Sequence, residues 1–127
     1  MMRYNLSPEE FSAFVEEAWQ TLPVNFQEAL ENITIVTRPW PTPAEQRRAH
    51  VPLGSTLLGL YQGVPLTKRT GGYQLVPPDI ITLYQGPIEA TCSVKGAVPG
   101  KIRHVLVHEI AHYFGISDDR LRELGAY

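Results

Sequence analysis

The stretch from Pro99 to Phe114 constrains this chain more than any other. Ile102, Val105, Leu106, Val107, Ile110, Ala111 and Phe114 make it apolar over most of a helical circumference, and a helix of that kind has to be buried inside a domain. Pro99 suits the first turn and Gly115 stops the helix. Yet the same segment carries His104, His108, Glu109 and His112, so three of the chain's four histidines lie on it. Polar groups on a buried helix need partners. Residues i and i+4 sit one above the other on a helix face, so the imidazoles of His108 and His112 can reach one ion. Glu109 is too near His108 to be a natural third ligand on that face, but it can reach a water at the ion and take its proton. The pattern His-Glu-x-x-His therefore predicts a zinc site with Glu109 as the general base. The plainer alternative is a pair of hydrogen-bonded core histidines and a paired Glu. His104, one turn before His108, is expected in a solvated or capping role, with contact to substrate or to the ion the second possibility.

Composition narrows the chemistry. The only cysteine is Cys92, which excludes an intrachain disulfide and a Cys-rich metal site, so any metal must be held by His and carboxylates. The 127 residues read as one domain, 1–127, long enough for a real core without staples. The formal net charge is −2, whereas a nucleic-acid binder is usually basic; Arg47, Arg48 and His50 form a small cluster that reads as a solvated loop. No nucleic-acid partner is expected. No apolar run approaches the ~20 residues of a membrane span, and Met1 to Leu6 lacks a signal peptide's pattern. The expectation is a cytoplasmic protein with no membrane partner; the oligomeric state is not readable.

The rest of the chain alternates in type. Ser7-Pro8-Glu9-Glu10 is a helix start with a capping box, and Phe11, Phe14, Val15, Ala18, Trp19 and Leu22 follow at helical spacing to about Thr21. Phe26 to Leu30 suggests a short second helix. Ile33–Thr37, Leu57–Tyr61 and Ile80–Tyr84 read as strands. Arg38 to His50, with three prolines, reads as an irregular loop. Gln62 to Asp79 is dense in Gly and Pro and suggests an exposed excursion, with a hairpin turn at Gly71-Gly72. After Gly115, Ser117 caps a last helix with Asp118 and Asp119 in its first turn, running to about Leu124. The expectation is an α+β fold: a mixed sheet of three or more strands, a backing helix from Ser7, the buried His-bearing helix, and a short C-terminal helix.

Gly115 and Asp118 extend the pattern to H-E-x-x-H-x-x-G-x-x-D. Here the sequence resembles the metzincin-like branch of zinc peptidases, in which a glycine turn returns a third ligand six residues after the second His. More closely it is similar to a small bacterial family of minimal zincin-like metallopeptidases. The similarity is carried by HEIAHYFGISDDRLRELGAY from His108 to Tyr127, by Leu58 to Leu66 and by Ile80 to Tyr84. It implies a zincin-like domain, Zn2+ as the cofactor, and a peptide or protein substrate cleaved by a metal-activated water. It also implies a substrate lying extended along an edge strand, for which Ile80 to Tyr84 is the candidate. Larger metzincins place a methionine turn under the metal, whereas Met1 and Met2 are the only methionines here.

The third ligand can also be reasoned from the residues. A catalytic zinc usually takes three protein ligands plus water; no His or Cys follows His112, so the third is a carboxylate or an upstream residue, and beyond the helix only Asp118, Asp119 and Glu123 offer carboxylates. Gly115 permits the chain to reverse, which brings Asp118 into reach and makes it the expected third ligand, with Glu123 the runner-up. Tyr127, Tyr73 and His104 are candidate donors to an oxyanion. Two other functions compete with the peptidase. A metal-dependent endoribonuclease of a class that relies on three histidines would need a His where Asp118 stands. A zinc-binding module without turnover would have no need of Glu109 as a base.

Overall fold

The order of elements follows from where caps and periodicities fall. A computed structural model describes residues 6–30, 32–51, 56–63, 79–117 and 119–120. Helix α1 spans Pro8–Gln20 and starts on the anticipated capping box: Ser7 Oγ accepts the Glu10 N–H at 3.0 Å, and the Glu10 carboxylate accepts the Ser7 N–H at 3.2 Å. The Ser7 N–H first, and then Lys95 at 3.2 Å, hold the Glu10 carboxyl below its ordinary value. Helix α2 (Val24–Ala29) and strand β1 (Ile33–Arg38) follow.

The segment expected to be an irregular loop contains helix α3, Pro43–Arg48. Its start repeats the chemistry of α1, since Thr42 and Glu45 form a second capping box with Pro43 in the first turn. The prolines at 39, 41 and 43 suggested no helix, but only Pro43 lies within it, in the first turn where the missing N–H costs nothing. The helix ends with His50 in the left-handed region at φ 59°, while Val51 N–H reaches Gln46 O at 2.9 Å and His50 N–H reaches Arg47 O at 3.0 Å. That is a Schellman closure, made with a residue that occupies this region only at a cost.

Strands β2 (Gly59–Gln62) and β3 (Asp79–Tyr84) complete a three-stranded mixed sheet in the order β1-β3-β2, with β1 parallel and β2 antiparallel to β3. The register pairs Ile35 with Ile81 and Tyr61 with Ile81 from the two sides. β3 is thus the central strand, and the expectation that Ile80 to Tyr84 forms the exposed edge is corrected: its backbone groups are committed on both sides. Among the described residues the edge strands are β1 and β2. The Gly71-Gly72 turn lies outside the described residues.

Strand alternation decides which elements cover which face. Ile81 and Leu83 point to one face and join Phe11, Val15 and Ala18 of α1 in the main core. The same core includes Val98, Ile102, Val105, Leu106 and Ile110 of the long helix α5 (Val98–Tyr113). α1 and α5 therefore lie side by side against one sheet face, as the apolar stripe on each requires. Tyr84 points the other way, where it packs with Leu57 and Leu60, and with Ala49 and Val51 just beyond α3. Burial first, and then the Glu45 carboxylate, push its phenol well above the ordinary tyrosine range. A short helix α4 (Gln85–Ala90) and a 3-10 turn (Lys95–Ala97), neither foreseen in the sequence, lead from β3 into α5. Pro87 sits in the first turn of α4, and Ile88 fastens that helix into the core.

Candidate metal centre

α5 ends in the turn that its glycine predicts. Gly115 adopts φ 80°, its N–H reaches His112 O at 2.9 Å, and Ile116 N–H reaches Ala111 O at 2.9 Å. This Schellman motif closes the helix three residues after His112. Asp119 and Arg120 are helical, and Ser117 Oγ accepts the Arg120 N–H at 3.2 Å, as a cap at Ser117 requires. Asp118, Glu123, Tyr73 and Tyr127 lie outside the described residues.

His108, Glu109 and His112 come together on α5 as their spacing demands. One ligating atom from each lies within 4.8 Å of the others, and the two imidazole rings are 4.7 Å apart, edge to face. Glu109 is only 6% exposed. A buried carboxylate must be compensated, and two groups do this: the Tyr61 N–H of β2 donates to Glu109 Oε1 at 3.0 Å, and His112 Nδ1 lies 3.3 Å from the same oxygen. A hydrogen bond to a charged group contributes roughly 1.5–3 kcal/mol. Two imidazoles on one helix face suit a zinc-type ion, so the two donors present fit such a metal, with Glu109 beside them as a base and not a ligand.

The Tyr61 contact exists because β2 touches α5 closely. A Cβ added at Gly59 would stand 2.8 Å from Val105 Cγ1, 3.2 Å from Glu109 Cγ and 3.3 Å from Thr82 O. Gly59 is the spacer that sets the distance between strand and helix. A glycine inside a strand often marks a close approach, and this is the signal by which Leu57-Leu58-Gly59-Leu60-Tyr61 could have been placed against the His-bearing helix. In the antiparallel register Leu60 pairs with Thr82, and Tyr84 N–H reaches Leu58 O at 3.0 Å. The N–H groups of Gly59 and Tyr61 consequently point to the free edge of β2.

The site opens into a cleft of about 660 Å³ between β2, α5 and the end of α3. Arg48, Leu57, Lys101, His104, His108 and His112 are among its walls. Arg48 belongs to the cluster first read as a solvated loop; the structure puts it on the cleft instead. His104 also faces the cleft, and its pKa is lowered from the ordinary imidazole value by partial desolvation first, then by Lys101 and His108. Sequence reasoning gave neither Lys101 nor Arg48 a place in the site. The signal for Lys101 was present, because Lys101, His104 and His108 follow the i, i+3, i+7 stripe of one helix face.

A three-stranded mixed sheet carrying a buried His-Glu-x-x-His helix beneath an edge strand defines a zincin-like protein. The chain belongs to the zincin-like metallopeptidase family, whose model matches residues 30–126. No curated protein matches it. Among solved structures it is similar to a conserved hypothetical protein from Thermo thermophilus, at a TM-score of 0.55 and 20% identity over 94% of this chain and 97% of that one; that likeness concerns the fold alone. The family implies a metal, usually zinc. Among the described residues no helix is long and apolar enough to cross a membrane.

Proposed function

We propose that the chain is a zinc-dependent peptidase in which His108 and His112 hold the metal, Asp118 completes the ligand set, and Glu109 is the general base. The observation that supports this most is the placement of Glu109. It is buried at the cleft floor, beside both imidazoles, and oriented by the Tyr61 N–H. A purely structural site has no need of a base beside its ligands. When bound, a zinc ion lowers the pKa of a coordinated water to about 7 and polarises a carbonyl.

The chain's own residues supply the rest. In this reading Glu109 accepts the proton of the attacking water and passes it to the leaving amine. The free edge of β2, and not β3, offers the Gly59 N–H and the Gly59 and Tyr61 carbonyls to an extended peptide, the Tyr61 N–H being held by Glu109. His104, Tyr73 and Tyr127 are the candidates to steady an oxyanion.

The test is a peptide-library cleavage screen of the zinc-loaded protein beside its Glu109→Gln variant. Cleavage slowed by roughly 10² to 10⁴ with metal content unchanged is the expected outcome. Equal cleavage by both proteins removes Glu109 from the chemistry. Full zinc occupancy with no cleavage of any library member leaves a binding module.

A further inference from the structure

The cleft has a charge asymmetry that catalysis at His108, Glu109 and His112 does not explain. Among the described lining residues Glu109 is the only acid, and it is already engaged by Tyr61 and His112. Arg48 and Lys101 both face the cleft, and neither has an ion-pair partner among the described residues. The chain as a whole carries a formal net charge of −2, so two such cations here are a local feature and not a share of a basic surface.

The backbone fixes where the cations stand. Lys101 precedes His108 by seven residues, which is roughly 10 Å along the helix axis. β2 runs beside α5 in the same direction, with Gly59 over Val105 and Tyr61 over Glu109. A peptide extended along β2 advances about 3.4 Å per residue, so its third residue or so from the metal end reaches Lys101. Arg48 is the last residue of α3, and Ala49 and Val51 just beyond it pack on Leu57, Leu60 and Tyr84, which brings the end of α3 to the same cleft.

We propose that Arg48 and Lys101 form an anion-selecting subsite, and that the cleft takes peptides carrying Asp or Glu about three residues from the bond over the metal centre. This rests on reading the cleft as a metallopeptidase site. An acidic side chain there meets two cations that have no partner among the described residues to give up. An RNA backbone also offers anions, but each of its units bears a charge, whereas the same cleft is lined also by Val51, Leu57, Leu58 and Leu60, which favours a chain with one acidic residue among apolar ones.

The test uses metal-directed peptide hydroxamates on the zinc-loaded protein, followed by calorimetry. The hydroxamate is placed at the carboxyl end in one pair and at the amino end in another, so both directions from the metal are probed. Each pair differs only in Glu against Gln three residues out. In one pair the Glu form should bind roughly three- to tenfold tighter at low salt, the scale of two partly exposed ion pairs. That ratio should shrink as salt rises and fall toward one in the Arg48→Gln/Lys101→Gln double variant. Equal binding in both pairs overturns the subsite, as does a ratio that survives in the double variant. Tighter binding of a short oligouridylate than of either Glu peptide assigns the cations to RNA and likewise overturns it. Binding by no hydroxamate at all overturns the metallopeptidase reading itself, a result distinct from binding without charge preference.

Discussion

α1 and α5 lie side by side on the same face of the sheet, yet they are stabilised in different ways. α1 starts on a two-way cap and adds an ion pair from Glu10 to Lys95. It buries one stripe, Phe11, Val15 and Ala18, and leaves its other faces to solvent. α5 has no side-chain cap at Ala97, and it buries a broad face running from Val98 and Ile102 through Leu106 and Ile110, while Arg103 and Val107 stay exposed and correct the expectation of a helix buried over most of its circumference. Most of its polar groups share one side: Lys101, His104, His108, Glu109 and His112 line one cleft, and only Arg103 lies away from it. Burial holds both helices, but α1 adds local capping, whereas α5 relies on burial alone and leaves its polar stripe available for function. The two helices touch through core packing and through the bond from Arg103 Nε to Thr21 Oγ1 at 3.2 Å.

Two substitutions separate these roles. Phe11 is fully buried, and Phe11→Ala removes a large side chain from the packed stripe of α1, at an expected cost of roughly 3–5 kcal/mol. Chemical denaturation should show that loss, while the folded fraction keeps the zinc affinity of wild type. A variant that lost metal affinity in proportion to stability would show that the two helices are not separable.

Gly59→Ala acts on the other side of α5. Its strand conformation suits alanine, but the new Cβ meets Val105 and Glu109. Overpacking of this kind costs about 1–3 kcal/mol, less than the Phe11 truncation, and it bears directly on the Glu109–Tyr61 contact. Adding Val105→Ala should restore part of the loss in a double-mutant cycle. Strict additivity of the two changes would mean that β2 is not spaced from the helix by Gly59.

How far the sequence discloses this arrangement depends on the range of the interaction. Caps, periodic stripes and glycine stops are local, and they delivered α1, α5, the three strands and the turn at Gly115 within a residue or two. α3 was equally local in principle, since Thr42-Pro43-Ala44-Glu45 repeats the pattern of Ser7-Pro8-Glu9-Glu10, but the flanking prolines at 39 and 41 drew the reading toward a loop. Strand order is not local. Nothing in Ile80 to Tyr84 says that two strands flank it, although its run of apolar and β-branched residues suits a central strand better than an edge. The His-Glu-x-x-His cluster was legible because helical geometry alone brings those side chains together. The Tyr61 N–H on Glu109 and the place of Arg48 were not, because each spans elements far apart in sequence.

The proposed site holds a metal on α5 through His108 and His112 with a carboxylate from beyond Gly115. Chelator competition with zinc, run on wild type and on His108→Ala, His112→Ala, Asp118→Ala and Asp119→Ala, tests it most directly. Wild type should bind one equivalent tightly, either histidine variant should lose it, Asp118→Ala should bind much more weakly, and Asp119→Ala should match wild type. Undiminished zinc affinity in both histidine variants would contradict the account, and undiminished affinity in Asp118→Ala alone would contradict its third ligand.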